Sequence, residues 1–597
     1  MANSKSKEII TQPDQRKGLF IALSIIAIFI SVIYSYKLRW LGDDIFIALR
    51  YVQHFLAGQG LVYNTGEKVE GFTDFLWIML ISLFTKLHFD PMNVTQFLGI
   101  LSSTGTLILC SIIGFRIAQK RNTFIIPFVV ISLALNYDYN VWATSGLETS
   151  FYTFLLCSAF FTYFFSALSE TKRLIITGLF LSFAMMTRPD AMLITFGANG
   201  LLACAAFLRK DKIKALVRTL LFFNLALLLI YLPYFLWRYH YYGFIFPNTY
   251  YVKLGNETLF SKGFFYLWLY FKPHFTAFLA LLLPFAIILP LLKNKPIEQI
   301  KNYIGDRWNA AFITTVLMIY AYLLIFVAKV GGDFMHARFV IPVVPFMSFV
   351  IFYALLNYLK AKSLNLILAI LLLCSFAETK VRLQVFDAPD KNGKIITTLN
   401  GDVADERYVY TEYLPIENDI KAGKALHNAF NGIDAIMLIR GGQGCLGYFA
   451  NFNYEQEYHG LTDTLIAHSK IQARGRIGHE KHATGEYLEK KGVTFLLNRS
   501  PIFGDEQYRF ARINVPPFTF RTELITFNSK IIDLMKQRFG NNFEYTDFRT
   551  YLDEYIQKKL PTISKDELKK NYDSFYLYYF MHNDDKAREN KLLEALK

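Results

Sequence analysis

Long apolar stretches separated by short polar segments recur along the first two thirds of the chain. The first covers residues 18–36 and is long enough to cross a bilayer, since a spanning helix needs about 20 apolar residues. Similar stretches follow up to residue 380, and together they predict about eleven transmembrane helices. The predicted spans are 18–36, 94–118, 123–138, 149–168, 174–187, 191–208, 216–237, 264–292, 309–328, 339–358 and 364–380. This pattern is typical of a polytopic α-helical membrane protein.

The segment 37–92 interrupts the pattern and is predicted to be one external loop with two membrane-associated helices. It opens with Asp43 and Asp44, and apolar residues at helical spacing follow over 45–56. We interpret the apolar run 72–89 as a helix that lies along the interface. This placement leaves the later basic clusters on the cytoplasmic side, as the positive-inside rule expects.

The composition changes after residue 380. Apolar runs shorten to strand length at 435–439 and 493–497, and amphipathic segments such as 485–491 lie between them. We therefore predict a transmembrane domain over 1–380 and a soluble α/β domain over 381–597. Basic residues before the first span put the N-terminus in the cytoplasm, and an odd number of spans then puts the second domain on the opposite, periplasmic side.

Charge and cysteine content narrow the class of protein further. The 597 residues are 53% hydrophobic and carry a formal net charge of +15. Because the Lys and Arg residues lie largely in clusters between apolar spans, the charge indicates membrane topology and not nucleic-acid binding. Four of the five cysteines lie in apolar spans and Cys445 is the fifth, which excludes a disulfide framework in the second domain.

Polar and ionisable residues gather where the predicted topology puts the external ends of the spans. They come from the first loop and from the motifs SGLET, TRPD, FPNTYYVK and GGDFMHAR, and they are Asp43, Asp44, Glu70, Glu148, Arg188, Asp190, Asn248, Tyr251, Lys253, Asp333, His336 and Arg338. Polar residues at helix ends are expected without any function. The mixture of acidic and basic residues among glycines, prolines and aromatics nevertheless favours a shared site.

Both signs of charge at one membrane face fit glycosyl transfer from a lipid-phosphate sugar. A carboxylate would take the proton of the acceptor hydroxyl, with Asp43 slightly favoured as the base and Asp44 as a helix cap. Arg188, Arg338 and Lys253 are candidates to bind the departing phosphate. The remaining residues are candidates to bind sugar or acceptor hydroxyls: Glu70, Glu148, Asp190, Asn248, Tyr251, Asp333 and His336.

Two further motifs receive structural interpretations. The sequence HEKH at 479–482 resembles a metal-binding pair but lacks a third ligand nearby, so we interpret it as a solvated helix or loop. The sequence RGGQG at 440–444 lacks the Lys-Ser/Thr of a phosphate-binding loop and is interpreted as a glycine turn.

The external first loop that begins with Asp-Asp, followed by a helix on the membrane, resembles the GT-C glycosyltransferase superfamily. The stretch DDIFIALRYVQHFLAGQGLVYNTGEKVEGFTDFLW is similar to the opening of the mycobacterial terminal β-(1→2)-arabinofuranosyltransferase family. The motifs SGLET, TRPD, PNTYYVK, GGDFMHARF, GGQGCLGYF, HGLTD and RGRIGHEK extend the resemblance over nearly the whole chain. The Lys- and Ile-rich composition differs from the Ala/Arg-rich mycobacterial type, so the resemblance does not fix the sugar.

The resemblance implies an inverting glycosyltransferase in the inner membrane of a bacterium. It would move arabinofuranose or another pentose from a polyprenyl-phosphate donor to an envelope glycan or glycolipid on the periplasmic face, with a first-loop Asp as the base. Some members of the superfamily need a divalent metal and others do not, so the sequence assigns no cofactor.

Three alternative functions stay open at this point. A lipid-linked sugar transporter or flippase would need internal repeats and charges near the bilayer midplane, and neither is evident in the sequence. A non-catalytic envelope assembly protein would tolerate changes at Asp43, Asp44 and Arg188. A ligase that moves a whole glycan from a lipid pyrophosphate is a weaker alternative.

Overall fold

The computed structural model describes residues 5–119, 121, 123–254, 258–293, 296–385, 388–389, 395–396, 399–400, 402–433, 436–439, 444–471, 474–484, 487–488, 491–497, 511–514, 521–524, 529–545, 548–581 and 583–597. Residues 440–443 of the predicted turn at 440–444, and parts of the predicted segments 435–439 and 485–491, lie outside these residues.

Helices joined by turns and loops form the described part of the chain up to residue 385. They are α1 Lys5–Lys37, α2 Asp44–Leu56, α3 Phe75–Lys86, α4 Pro91–Ala118, α5 Phe128–Leu135, α6 Tyr137–Trp142, α7 Thr149–Phe165, α8 Glu170–Thr187, α9 Ala191–Arg209, α10 Ile213–Ala226, α11 Leu232–Tyr242, α12 Asn248–Leu254, α13 Phe260–Phe271, α14 Phe278–Leu291, α15 Pro296–Ile304, α16 Arg307–Ala321, α17 Val344–Tyr358 and α18 Ala361–Gln384. Short π-helical turns continue α10 at Leu227–Tyr231 and α16 at Tyr322–Ala328.

The described chain contains seven helices that are long and apolar enough to cross a membrane, or eight if the bent pair α13 and α14 is one span. The chain is therefore a multi-pass membrane protein, and the predicted number of about eleven spans is not confirmed. The difference has local causes. The predicted span at 123–138 consists of the short helices α5 and α6, and the predicted span at 264–292 bends by 112° between α13 and α14. The last candidate membrane-spanning helix, α18, ends at Gln384, beyond the predicted end of the transmembrane domain at 380.

The first loop contains the two helices that its sequence predicts. Helix α2 is amphipathic and buries Ile45, Leu49 and Val52, which lie on one face at helical spacing. Helix α3 has 12 residues, which corresponds to about 18 Å at 1.5 Å per residue. That length is short of the roughly 30 Å of a bilayer core, as expected for a helix that does not span.

The rest of the described chain combines a mixed β-sheet with further helices. The six-stranded sheet has the order β10-β8-β9-β7-β5-β6, in which β5 runs parallel to β6 and β7 and the other pairs are antiparallel. The strands are β5 Ile436–Ile439, β6 Tyr454–Glu457, β7 Val493–Leu497, β8 Ala511–Asn514, β9 Arg521–Leu524 and β10 Phe543–Tyr545, and two-stranded pairs join β1 Ala388–Pro389 to β2 Ile395–Ile396 and β3 Leu399–Asn400 to β4 Val403–Ala404. The helices are α19 Glu406–Tyr408, α20 Ile416–Phe430, α21 Gly444–Ala450, α22 Thr464–His468, α23 Ser529–Phe539, α24 Phe548–Glu554, α25 Lys565–Phe575 and α26 Lys586–Leu596, with π-helical turns at Val409–Tyr413, Tyr555–Lys559 and Tyr576–Phe580.

The sheet region is joined to the first loop by a buried polar cluster around Glu455. Arg50 from α2 forms an ion pair with Glu455 and also donates to the carbonyl of Phe452. The Tyr63 hydroxyl donates to the same carboxylate at 2.7 Å, and the Asn64 amide donates to the Glu455 carbonyl at 2.8 Å. Because a buried charge is stable only when it is paired and hydrogen-bonded, this cluster holds the two parts of the chain in one arrangement.

Candidate active site

A cavity of about 290 Å³ lies where the first loop, the predicted external turns of the membrane helices and the sheet region meet. Its size falls near the lower end of the roughly 300–1,000 Å³ typical of ligand pockets. The polar side chains that line it are Asp43, Asp44, Tyr63, Thr73, Asp74, Glu148, Arg188, Asp190, Thr249, Tyr250, Lys253, Asp333, Arg338, Glu457, His459 and His479. Residues that are far apart in sequence therefore line one cavity.

The two adjacent aspartates have different environments. The Asp43 carboxylate is buried and accepts hydrogen bonds from the backbone N–H groups of Gly444 and Cys445, both at 2.8 Å. Burial raises the pKa of this carboxyl to about 7, and the two hydrogen bonds limit the rise. Asp43 thus satisfies the N-terminus of α21 and makes no side-chain cap on α2.

Asp44 begins α2 and lines the cavity. Among the described residues, no side chain or backbone group donates a hydrogen bond to it, and it forms no ion pair. Burial raises its pKa, while the positive charges of Arg338 and Lys253 oppose the rise. Both aspartates therefore line the cavity, but only the Asp43 carboxylate is held by hydrogen bonds within the described chain.

Two arginines on the cavity wall are held by carboxylates. Arg188 donates to Glu148 at 2.8 Å and to Asp190 at 2.9 Å. Arg338 donates to Glu148 at 3.2 Å and lies 3.5 Å from Asp333. With three carboxylates for two guanidinium groups, this cluster does not carry a net positive charge when all of its groups are ionised.

Lys253 differs from these arginines. Among the described residues, its ammonium group has no ion-pair or hydrogen-bond partner, and it lies 5.6 Å from the ring centre of Phe334. The guanidinium of Arg476 covers the same ring at 4.7 Å and forms an ion pair with Glu406 at 3.1 Å. Lys253 is thus the basic side chain of the described cavity wall that is available to an anionic ligand.

Four predicted binding residues do not line the cavity. The Glu70 carboxylate is held by Arg238 through two hydrogen bonds, of 2.8 and 2.5 Å, and the Asn248 amide donates to the carbonyls of Gly460 and Leu461. Through these contacts Glu70 and Asn248 hold the cavity wall in position, and they are not placed to contact a ligand. The other two are Tyr251, whose ring packs 4.1 Å from that of His468, and His336, whose Nδ1 lies 3.6 Å from Asp138.

Some cavity residues were missed by the sequence interpretation, and His479 is the clearest example. It belongs to the HEKH motif, which was interpreted as solvated, but His479 lines the cavity and its neighbours Glu480 and Lys481 are buried. The segment is a loop, as that interpretation allows, and His482 is exposed, but the prediction that the motif is solvated is wrong for Glu480 and Lys481. Burial and the nearby Arg476 lower the pKa of His479 to about 3, so its imidazole is neutral. The glycines of RGRIGHEK were the available signal, because Gly478 has a φ of +82° and packs against Lys253.

Metal binding receives no support from the geometry of the described residues. Within them, no three His, Cys, Asp or Glu side chains are grouped so as to hold a metal ion. The pairing of carboxylates with arginines is the arrangement that the cavity wall shows instead.

Comparison with known proteins supports the resemblance noted in the sequence. The chain is 26% identical over 323 residues to a terminal β-(1→2)-arabinofuranosyltransferase of Corynebacterium glutamicum, covering 50% of this chain and 46% of that protein. It is 23% identical over 342 residues to the Mycobacterium tuberculosis protein of the same name, covering 51% of each. The chain therefore spans about half the length of these curated relatives. No family model matches it.

The fold is also found among solved structures. ArnT from Cupriavidus metallidurans, bound to undecaprenyl phosphate, matches with a TM-score of 0.51 and 12% identity over 85% of this chain and 97% of that chain. The apo form of the same protein matches with a TM-score of 0.50, with the same identity and coverage. At this identity the match shows a shared fold, and it extends over most of both chains.

Proposed function

We propose that this protein is a GT-C glycosyltransferase that moves a sugar from a polyprenyl-phosphate donor to a hydroxyl group of an envelope glycan or glycolipid. The observation that carries the proposal is one cavity that is lined both by a carboxylate without a protein partner, Asp44, and by an ammonium group without one, Lys253, within the described chain. Glycosyl transfer from a lipid phosphate needs both groups, because a hydroxyl must lose a proton while a phosphate departs.

Asp44 acts as the general base in this proposal. It removes the proton from the acceptor hydroxyl as that oxygen forms a bond to the anomeric carbon of the donor. The bond between this carbon and the phosphate oxygen breaks, and its electron pair leaves with the polyprenyl phosphate. Attack from the side opposite the phosphate inverts the anomeric centre. The raised pKa of Asp44 supports this role, because a more basic carboxylate accepts a proton more readily.

Lys253 binds the departing phosphate. Arg188 and Arg338 were equal candidates in the sequence, but Glu148, Asp190 and Asp333 already engage them. A phosphate next to that cluster would meet carboxylates, whereas Lys253 offers three donors without a competing acceptor. The two arginines accordingly hold the wall of the cavity in shape.

The comparisons support the class of donor and acceptor. The matched relatives are named as arabinofuranosyltransferases, and the structure that shares the fold was solved with undecaprenyl phosphate. Arabinofuranose or another pentose is therefore the first donor sugar to test. The reaction takes place on the periplasmic face of the inner membrane in this proposal.

The test uses purified protein in nanodiscs with a panel of polyprenyl-phosphate sugars and measures release of polyprenyl phosphate, with and without EDTA. We expect release with one sugar, and a loss of about 100- to 10,000-fold in Asp44→Asn, the range typical of a general base. Lys253→Met should raise the donor KM and lower kcat. The matched controls are Asp90→Asn and Lys86→Met, exposed residues of the same types that lie outside the cavity. Full activity in Asp44→Asn would remove the base assignment, and no release with any donor would overturn the proposed function.

A further inference from the structure

Asp74 lines the cavity, and its position at the N-terminus of α3 does not explain why its side chain lies there. It is the residue at the N-terminal cap of α3, where an aspartate normally accepts a hydrogen bond from the first turn and stabilises the helix by about 1 kcal/mol. Its carboxylate makes no such bond. The side chain lines the cavity instead and retains 7% of its accessible surface.

The next helix along the chain, α4, has an aspartate cap of the ordinary kind. Asp90 caps α4, and its carboxylate accepts a hydrogen bond from the backbone N–H of Asn93 at 2.9 Å. Asp90 is exposed to solvent, whereas Asp74 is buried. Burial alone does not explain this difference, because Asp405 and Asp463 are also buried and both cap their helices. Buried polar groups normally have hydrogen-bond partners, and among the described residues no side chain donates a hydrogen bond to the Asp74 carboxylate, whose nearby donors are the backbone N–H groups of Thr73 and Asp74.

The surroundings of Asp74 narrow the chemistry of that partner. Within the described residues no basic side chain forms an ion pair with it. Burial raises its pKa to about 7, and the neighbouring negative charge of Glu148 adds to this rise while Arg338 opposes it. A carboxyl group accepts a hydrogen bond when it is ionised and is able to donate one when it is protonated. Phosphate would be repelled by Glu148, whereas a hydroxyl group matches both states.

The location of Asp74 indicates which of the two hydroxyl-bearing substrates, the donor sugar or the acceptor, it contacts. Its charged neighbours Glu148 and Arg338 both belong to turns between membrane helices, and none of them comes from the sheet region. Arg338 is also a charged neighbour of Asp44, so the two aspartates border the same part of the cavity. A donor that arrives from the bilayer would bring its sugar to this side.

We propose that Asp74 is a specificity-determining residue that hydrogen-bonds a ring hydroxyl of the sugar being transferred. This inference rests on the proposed function and deepens it, because it identifies the group that reads the donor sugar. It assigns Asp74 to substrate recognition and leaves proton removal to Asp44.

The test compares donors that differ by one hydroxyl. Polyprenyl-phosphate derivatives of the active sugar and of each of its monodeoxy forms are given to the wild-type protein, Asp74→Asn, Asp74→Ala and the control Asp90→Asn in nanodiscs. In the wild type, we expect one deoxy donor to have a kcat/KM about 10- to 100-fold below that of the full sugar, the effect of one lost hydrogen bond in a buried site. In Asp74→Ala the ratio of kcat/KM for the full sugar to kcat/KM for this deoxy donor should fall to about one, because the residue that binds the hydroxyl is absent. The corresponding ratios for the other deoxy donors should be unchanged.

The conservative variant and the control keep the result interpretable. Asp74→Asn retains the size and hydrogen-bonding capacity of the side chain, so it should keep part of the discrimination even if Asp74→Ala folds poorly. Asp90→Asn should leave every donor ratio as in the wild type. Equal loss of activity towards all donors in both Asp74 variants would overturn the assignment, as would unchanged ratios. Absence of transfer by the wild type would instead contradict the proposed function itself.

Discussion

Removal of the Asp43 carboxylate is predicted to loosen α21 while leaving the base in place. The two backbone N–H groups of Gly444 and Cys445 are satisfied by Asp43, which lies 401 residues away in sequence from the nearer of them. The first turn of a helix has no internal acceptors for its N–H groups, so α21 depends on this distant carboxylate.

The size of the effect follows from the two bonds. Each buried donor that loses its acceptor costs about 1–3 kcal/mol, and because such losses are not additive we expect about 2–4 kcal/mol for Asp43→Ala. Since 1.4 kcal/mol corresponds to a factor of ten, local opening at 444–450 should become about 30- to 700-fold more frequent.

Hydrogen–deuterium exchange measured by mass spectrometry in nanodiscs tests this directly. Peptides that cover Gly444–Ala450 should exchange faster in Asp43→Ala by that factor, whereas peptides from α7 should be unchanged. Asp44→Asn is the matched control, because it alters the neighbouring carboxylate, which accepts no hydrogen bond from the described sheet region, and it should leave exchange at 444–450 as in the wild type. Unchanged exchange in Asp43→Ala would refute the idea that Asp43 holds the sheet region on the cavity.

Two further predictions concern buried charge. Arg50→Met leaves the Glu455 carboxylate buried without its ion-pair partner and should destabilise the protein by about 3–5 kcal/mol, measured by thermal unfolding in detergent. Addition of Glu455→Gln should recover part of this loss, because it removes the unpaired buried charge. No recovery in the double variant would contradict this reasoning. Burial raises the pKa of Glu406 in the folded protein to about 8, above its ordinary value of 4.5, so the folded state keeps a proton that the unfolded state releases. This stabilisation is fully present below about pH 4.5 and is lost as the pH rises through about 8, so the unfolding temperature should fall less steeply from pH 5 to pH 9 in Glu406→Gln than in the wild type. Identical pH profiles would show that Glu406 titrates normally.

The local pattern of the sequence predicted much of the architecture. Apolar residues at helical spacing after Asp44 predicted α2, and the apolar run at 493–497 predicted β7, because side-chain periodicity reports the local conformation directly. Seven helices that are long and apolar enough to cross a membrane lie within predicted apolar segments or overlap them, whereas the predicted span at 123–138 consists of two short helices. The bend between α13 and α14 was not predicted, since hydropathy measures composition and does not report the direction of the chain.

The sequence also determined which motifs would supply the cavity. Glu148, Arg188, Lys253, Asp333 and Arg338 all line it, as expected from their places at the predicted external ends of helices. Membrane helices constrain this outcome, because residues at the same ends of spans lie at similar depth. The positions of these motifs at the predicted span ends were therefore enough to group these five residues, although Glu70, Asn248, Tyr251 and His336 do not line the cavity.

Only the tertiary structure decided what each of these side chains does. Asp43 and Asp44 are neighbours with the same chemistry, and they differ because Gly444 and Cys445 reach one of them and not the other. Lys253 and Arg188 carry the same charge, and they differ because carboxylates lie beside Arg188 alone. These distinctions depend on partners supplied by distant parts of the chain, and local periodicity carries no information about such partners. The sequence by itself determined that the chain is a multi-pass helical membrane protein and which polar segments supply much of the cavity, whereas hydrogen bonding and ion pairing in three dimensions decided which groups stay available for a substrate.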